Sequence, residues 1–189
     1  MTASIEAHAL TVTSPESDEV RLERVNSLNL DPDQINRCLV MYRDDSIFLV
    51  SGRVSRGRLY ASFRTFEYPH SKNVIKHCTR THAVEFITQA SYVLVGNLHH
   101  LDPNWMLSQD EFLKLALDEQ TTFTEMQIRF RKFIPNEDGI ELEIWLKQFR
   151  YINQRLYLSL GFLFPAGCSG SCEAMIALDY TLHPGSSTG

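Results

Sequence analysis

Several absences bound what this chain can be. No apolar run approaches the roughly 20 residues that a membrane-spanning helix needs, so no membrane association is expected. The N-terminus lacks the basic-then-apolar order of a secretory signal, and a cytoplasmic location is the expectation. The net charge is −5, with no basic run or basic face evident. Nucleic acid is therefore not an expected partner, because phosphate neutralisation needs clustered Lys and Arg. Cysteine is sparse: Cys38, Cys78, Cys168 and Cys172 are scattered through 189 residues, a length that folds without covalent staples, so reduced thiols are expected. His77, Cys78 and His82 have metal-binding chemistry but lack the two tight pairs of a zinc site, and Cys168 and Cys172 form a lone pair. Neither a metal nor a cofactor is expected. There is no internal repeat.

What is present is ordinary for one globular domain, with 43% hydrophobic and 22% charged residues. Residues 1–28 are rich in Ser, Thr and Glu without periodicity and read as a flexible arm. Residues 29–182 read as a single domain and 183–189 as a disordered tail. Asp31-Pro32-Asp33 opens a short helix running to about Met41 or Tyr42. Strands are expected over 47–54 and 58–67, linked at Ser55-Arg56-Gly57. Ser108-Gln109-Asp110-Glu111 is a capping box for a helix over 109–118. The period then switches to two, giving strands over 121–133, 140–151, 155–164 and 172–180. Asn136-Glu137-Asp138-Gly139 reads as a hairpin turn joining the first two of these.

The stretch from Thr81 to Gly96 carries the most information. It is a helix apolar almost all round, of the kind normally buried. Yet His82, Glu85, Gln89 and Tyr92 recur at steps of three, four and three and so share one face. Buried polar groups are costly unless they are hydrogen-bonded or used. A sheet needs one face covered, and the 82–96 helix is the one element apolar enough to do it. The expectation is an α+β hotdog fold, an antiparallel sheet wrapped around a long central helix.

Short segments resemble the FcoT-type long-chain fatty acyl-CoA thioesterases of that superfamily. Arg37-Cys38-Leu39-Val40-Met41-Tyr42 resembles the family's Arg-Val-Leu-x-x-Tyr. Ala83-Val84-Glu85 before an apolar helix resembles its Ala-Val-Glu-Leu helix start. Trp105 with the Ser-x-x-acid helix opening is similar, as is Arg129-Phe130-Arg131-Lys132 with Pro135. The matches keep their order over roughly 37–180. The resemblance maps a family Tyr onto Tyr42 and an Asn onto His82. A second family Tyr falls on Val74, moving that role toward Asn73 or His70, and a later Asn falls on Ser91. The spacing of Glu85 and Gln89 also resembles FabA-type hydroxyacyl-ACP dehydratases. His70 lies fifteen residues before Glu85, one more than usual there, and the Phe-Pro and Pro-Gly of that family are missing.

The resemblance implies acyl thioester chemistry. Glu85, in the first turn of the helix, is the candidate general base or nucleophile. His82, Tyr42 and His70 are further catalytic candidates, and Gln89, Asn73 and Ser91 candidate substrate contacts. The expected activity is hydrolysis of a fatty acyl thioester on CoA or acyl carrier protein, by a homodimer or higher homo-oligomer. Two alternatives stand beside it. One is dehydration, or conjugate addition to an α,β-unsaturated acyl-ACP, with a His70–Glu85 pair. The other is acyl-ligand binding without catalysis. A tunnel between the 82–96 helix and strand 155–164 would suit a long acyl chain; a packed core would leave none.

Overall fold

Local sequence sets each helix start. Asp31 accepts from the Gln34 amide at 2.8 Å while the Gln34 side chain accepts from the Asp31 amide at 3.0 Å. Thr79 with His82 and Ser108 with Glu111 repeat this reciprocal cap. The computed structural model describes residues 27–67, 77–101 and 105–178. In chain order these form β1 (Ser27–Leu30), α1 (Pro32–Cys38), β2 (Leu49–Ser55), β3 (Arg58–Phe63), α2 (Arg80–Asn97), α3 (Gln109–Leu117), β4 (Thr121–Phe130), β5 (Ile140–Ile152), β6 (Arg155–Phe164) and β7 (Cys168–Ala177). Strand β1 begins inside the segment expected as a flexible arm, and α1 stops a turn earlier than expected. No helix among the described residues is long and apolar enough to cross a membrane.

The strands make one antiparallel sheet in the order β1-β2-β3-β5-β6-β7-β4. Two-residue turns with positive φ, Arg56-Gly57 and Asn153-Gln154, join β2 to β3 and β5 to β6. That twist matches the strands they connect. The inner face carries Leu59, Ala61, Phe63, Leu142, Ile144, Leu158 and Leu160, all buried, and alternates with exposed Arg58, Tyr60 and Glu141. Register shifts at Leu49/Ser51, Phe123/Glu125 and Leu146/Gln148 bend the sheet. Helix α2 lies on β2, β3 and β5 and is flanked by α1 and α3. A curved antiparallel sheet closed around one buried helix is the hotdog arrangement.

One sequence expectation is corrected here. Residues 136–139 do not turn β4 straight back onto β5. Strand β4 pairs with β7 at the sheet edge, and β5 lies between β3 and β6. The Asp-Gly signal is used to close the end of β3 instead. Asp138 accepts from the Thr65 amide at 2.9 Å, and the Gly139 amide donates to the Phe63 carbonyl at 2.9 Å. Segment 131–139 therefore crosses the end of the domain. It is pinned where the Cys78 amide donates to the Ile134 carbonyl at 2.7 Å and the Arg131 amide to the Gly167 carbonyl at 2.8 Å. Strand β7 also starts earlier than expected, at Cys168, directly after a turn with Gly167 at φ 130°.

Gln89 fastens α2 to the chain entering β2. Its Oε1 accepts from the Phe48 and Leu49 amides at 2.9 and 3.2 Å, and its Nε2 donates to the Ser46 carbonyl at 2.8 Å. Replacing Gln89 by Leu leaves three backbone groups without these partners. Urea unfolding should show a loss of about 2–4 kcal/mol; a loss below 0.5 kcal/mol would contradict the clip. The β4–β7 pairing has its own test. A Cβ at Gly170 would lie 1.9 Å from the Gln127 carbonyl oxygen on β4. Gly170→Ala should cost roughly 1–3 kcal/mol in the same measurement, and an unchanged midpoint would argue against this register.

Candidate functional site

Helix α2 is covered on most of its circumference, with one accessible stripe formed by exposed Thr81 and half-exposed Val84, Glu85, Thr88 and Tyr92. At about 100° per residue, His82 and Gln89 lie some 40–60° round from Glu85, turned into the body of the domain. The structure thus divides the polar face expected from sequence. Two of its members are internal; Glu85 and Tyr92 remain on the side that a ligand can approach.

His82 is fully buried. Its Nδ1 lies 2.8 Å from the Thr79 hydroxyl and 3.2 Å from the Thr79 amide, and its Nε2 lies 3.0 Å from the Phe66 carbonyl. A carbonyl accepts only, so Nε2 carries the proton and Nδ1 accepts from Thr79. Burial lowers the His82 pKa against the opposing pull of the Phe66 carbonyl, with His77 adding a smaller downward push. The ring is neutral and stacks near Phe66, with centroids 4.5 Å apart. Ser91 donates to the Ile87 carbonyl of its own helix at 2.7 Å. Gln89 has the three backbone partners described above. His70 and Asn73 lie outside the described residues.

Glu85 differs from its neighbours. Its carboxylate is half-buried and makes no hydrogen bond or ion pair among the described residues, Arg80 and Arg129 included. Desolvation alone raises its pKa above the usual carboxylate range. Tyr42, from the turn after α1, lies within electrostatic reach of it. Burial holds the Tyr42 hydroxyl protonated, reinforced by the negative charge of Glu85 and by Tyr92. The Tyr42 hydroxyl also makes no hydrogen bond among the described residues. The Tyr42 and Tyr92 rings meet edge to face with centroids 6.3 Å apart, and the Tyr92 hydroxyl lies 2.8 Å from the Thr121 hydroxyl on β4.

The four cysteines are free and buried. Burial pushes the Cys78 thiol up to about 12 and the Cys168 and Cys172 thiols up to about 11, so none is a ready nucleophile at neutral pH. The seam between α2 and strands β4, β6 and β7, lined by Tyr92, Val95, Phe112 and Leu158, holds only about 20 Å³. That is room for about one water molecule and not for an acyl chain. Side chains fill the route that a straight acyl tunnel would take there.

Larger hollows lie at the N-terminal end of α2. Two adjoining cavities of about 580 and 670 Å³ share Arg80, Ile128 and Arg131 in their walls. Sequence reading missed this basic surface. The signal was the run Arg129-Phe130-Arg131-Lys132, but Arg80 joins it only through the crossing segment.

No known family model matches the chain, and no curated protein matches it either. Solved structures resemble its course. A sigma28-regulated virulence protein from Campylobacter jejuni is 8% identical, over 78% of this chain and 92% of that one, with a TM-score of 0.46. A dehydratase heterocomplex from Xenorhabdus doucetiae is 11% identical, over 80% and 93%, with a TM-score of 0.46. A hypothetical thioesterase with coenzyme A from Streptococcus pneumoniae is 10% identical, over 64% and 79%, with a TM-score of 0.37.

Proposed function

We propose that the chain hydrolyses fatty acyl thioesters, with Glu85 as general base and Tyr42 as donor to the thioester carbonyl. One observation carries this reading: Glu85 is a desolvated carboxylate with no partner among the described residues, on the accessible stripe of an otherwise buried helix. Such a group costs stability and is raised toward the pH at which it works as a base. The short segments that resemble FcoT-type thioesterases, with Glu85 and Tyr42 in matching places, support it.

In this reading water lies between Glu85 and the thioester carbon. Glu85 takes a proton as the water oxygen bonds to that carbon. The Tyr42 hydroxyl stabilises the developing oxyanion. The intermediate collapses with cleavage of the C–S bond, and the proton held by Glu85 passes to the leaving thiolate. His82 takes the part of a positioning residue, since its ring nitrogens hold the helix start through Thr79 and Phe66. Gln89 positions α2 through the backbone entering β2, while Ser91 bonds within its own helix.

Glu85→Gln should lower the rate of thiol release from acyl-CoA by roughly 10²–10⁴-fold. In the wild type, kcat/KM should rise with pH through a limb above the usual carboxylate range, because the base acts deprotonated; the variant should lack that limb. The sign for stability is opposite. A carboxyl whose pKa is raised on folding favours the folded state at acid pH and costs stability once ionised. Glu85→Gln should therefore melt no lower than wild type at pH 7. Normal turnover in the variant defeats the assignment. Water loss from a 3-hydroxyacyl thioester without thiol release would favour the dehydratase instead.

We infer also that two copies pair through β4. This ten-residue strand has β7 as its one strand partner among the described residues, with Phe123, Met126 and Ile128 half-buried and Phe130 exposed. A long unpaired edge of this kind is a template for another strand. Light scattering should give twice the chain mass, and Ile128→Lys should shift it toward one chain; a wild-type mass of one chain would exclude the pairing.

A further inference from the structure

We propose that the ring of Tyr92 is the end-stop of the acyl site and limits this protein to acyl chains of about eight carbons or fewer. This rests on the thioesterase reading above and narrows its substrate to short and medium chains.

The accessible stripe of α2 runs from Glu85 through Thr88 to Tyr92, all half-exposed, at steps of three and four. Tyr42 lies within electrostatic reach of Glu85 and packs on the Tyr92 ring edge to face, with centroids 6.3 Å apart. A thioester carbonyl held between Glu85 and the Tyr42 hydroxyl then has Tyr92 two turns of helix beyond it. Toward the N-terminal end of α2 the walls carry exposed Arg80, Arg131 and Lys132. Beyond Tyr92 they are apolar, formed by Val95, Phe112, Leu158 and Ile176. Hydrocarbon leaves water more favourably in the second direction, so the acyl tail points at Tyr92.

Little room lies before the ring. Seven residues separate Glu85 from Tyr92, about 10.5 Å along the axis, and a long helical side chain leans back toward the N-terminus, so an extended chain of about eight carbons fills the gap. The ring is held on several sides. Its hydroxyl lies 2.8 Å from the Thr121 hydroxyl on β4. Besides Tyr42 it packs on Phe112 and Phe123, with centroids 5.9 and 6.2 Å away. Swinging it aside forfeits the hydrogen bond and all three ring contacts. Behind it the seam holds only about 20 Å³. Each methylene short of the ring gains apolar burial; those beyond must displace the ring or turn out into water. Deleting the ring would join its space to the seam, giving an apolar hollow on the order of 100 Å³, and hollows of that kind stay dry and accept hydrocarbon.

Calorimetry with S-alkyl pantetheines of graded length tests the stop without any reaction, because a thioether has no carbonyl to attack. Wild-type affinity should rise from butyl to octyl and then cease to rise, with dodecyl bound no more tightly than octyl. In Tyr92→Ala, dodecyl should bind at least 10-fold more tightly than octyl, while butyl stays within twofold of wild type. Tyr92→Phe keeps the ring and should keep the wild-type order, although it loses the bond to Thr121. If Tyr92→Ala does not fold, Tyr92→Leu, which frees part of the same space, should move the break from octyl to decyl. Wild-type affinity that climbs steadily to dodecyl overturns the proposal. So does a break that remains at octyl in the Ala or Leu variant, or absence of saturable octyl binding. Hydrolysis of an octanoyl thioester, and its loss in Glu85→Gln, is read separately, so the length limit can stand without hydrolysis and hydrolysis without the limit.

Discussion

A helix buried on most of its circumference must find a partner for each polar atom it carries, and the interior of this domain is arranged around that requirement. Gln89 takes its partners from the backbone entering β2, and His82 takes its partners from Thr79 and from the Phe66 carbonyl where the chain leaves β3. These contacts fix the rotation of α2 against the sheet, because turning the helix by one residue would strand both side chains in an apolar core. With that rotation set, Glu85 falls where no described residue answers it. The same constraint that makes His82 and Gln89 structural leaves Glu85 chemically distinct.

The crossing segment after β4 links the sheet to the helix start. It carries Asp138 and Gly139 to the end of β3, which lets β5 insert beside β3 and sends β4 to the far edge. On its way it sets Arg131, Lys132 and Phe133 beside Cys78, Thr79 and Arg80. A topological necessity of closing the sheet thereby gathers cations at the positive pole of α2. These side chains are exposed, so water and salt screen both their mutual repulsion and the field of the helix end.

Much of the fold was legible in the sequence. Capping at Asp31 and Ser108 depends on residues close in sequence, and the two-fold and 3.6-fold periods mark which elements are strands and helices, whereas the Thr79 cap, with His82 in place of Glu or Gln, was not legible. Strand β1 was not legible, since four residues of mixed character adjoining a polar segment have no readable period. The partner of β4 was misread because Asn-Glu-Asp-Gly signals a reversal of the chain without saying which strand lies on the other side. At the candidate site, Glu85 and Tyr42 stood out by residue type and position. The split between Glu85 and Gln89 did not, because a helical wheel places both on one face and neighbouring elements decide which of them is covered.

By itself, then, the sequence determined the elements, the burial of the central helix and the presence of an acid on it, because these follow from short-range periods and caps. Tertiary structure alone decided which strands pair, which polar side chains the backbone satisfies, and which cations meet around a hollow. Those outcomes depend on contacts between residues tens of positions apart, and no local pattern encodes them.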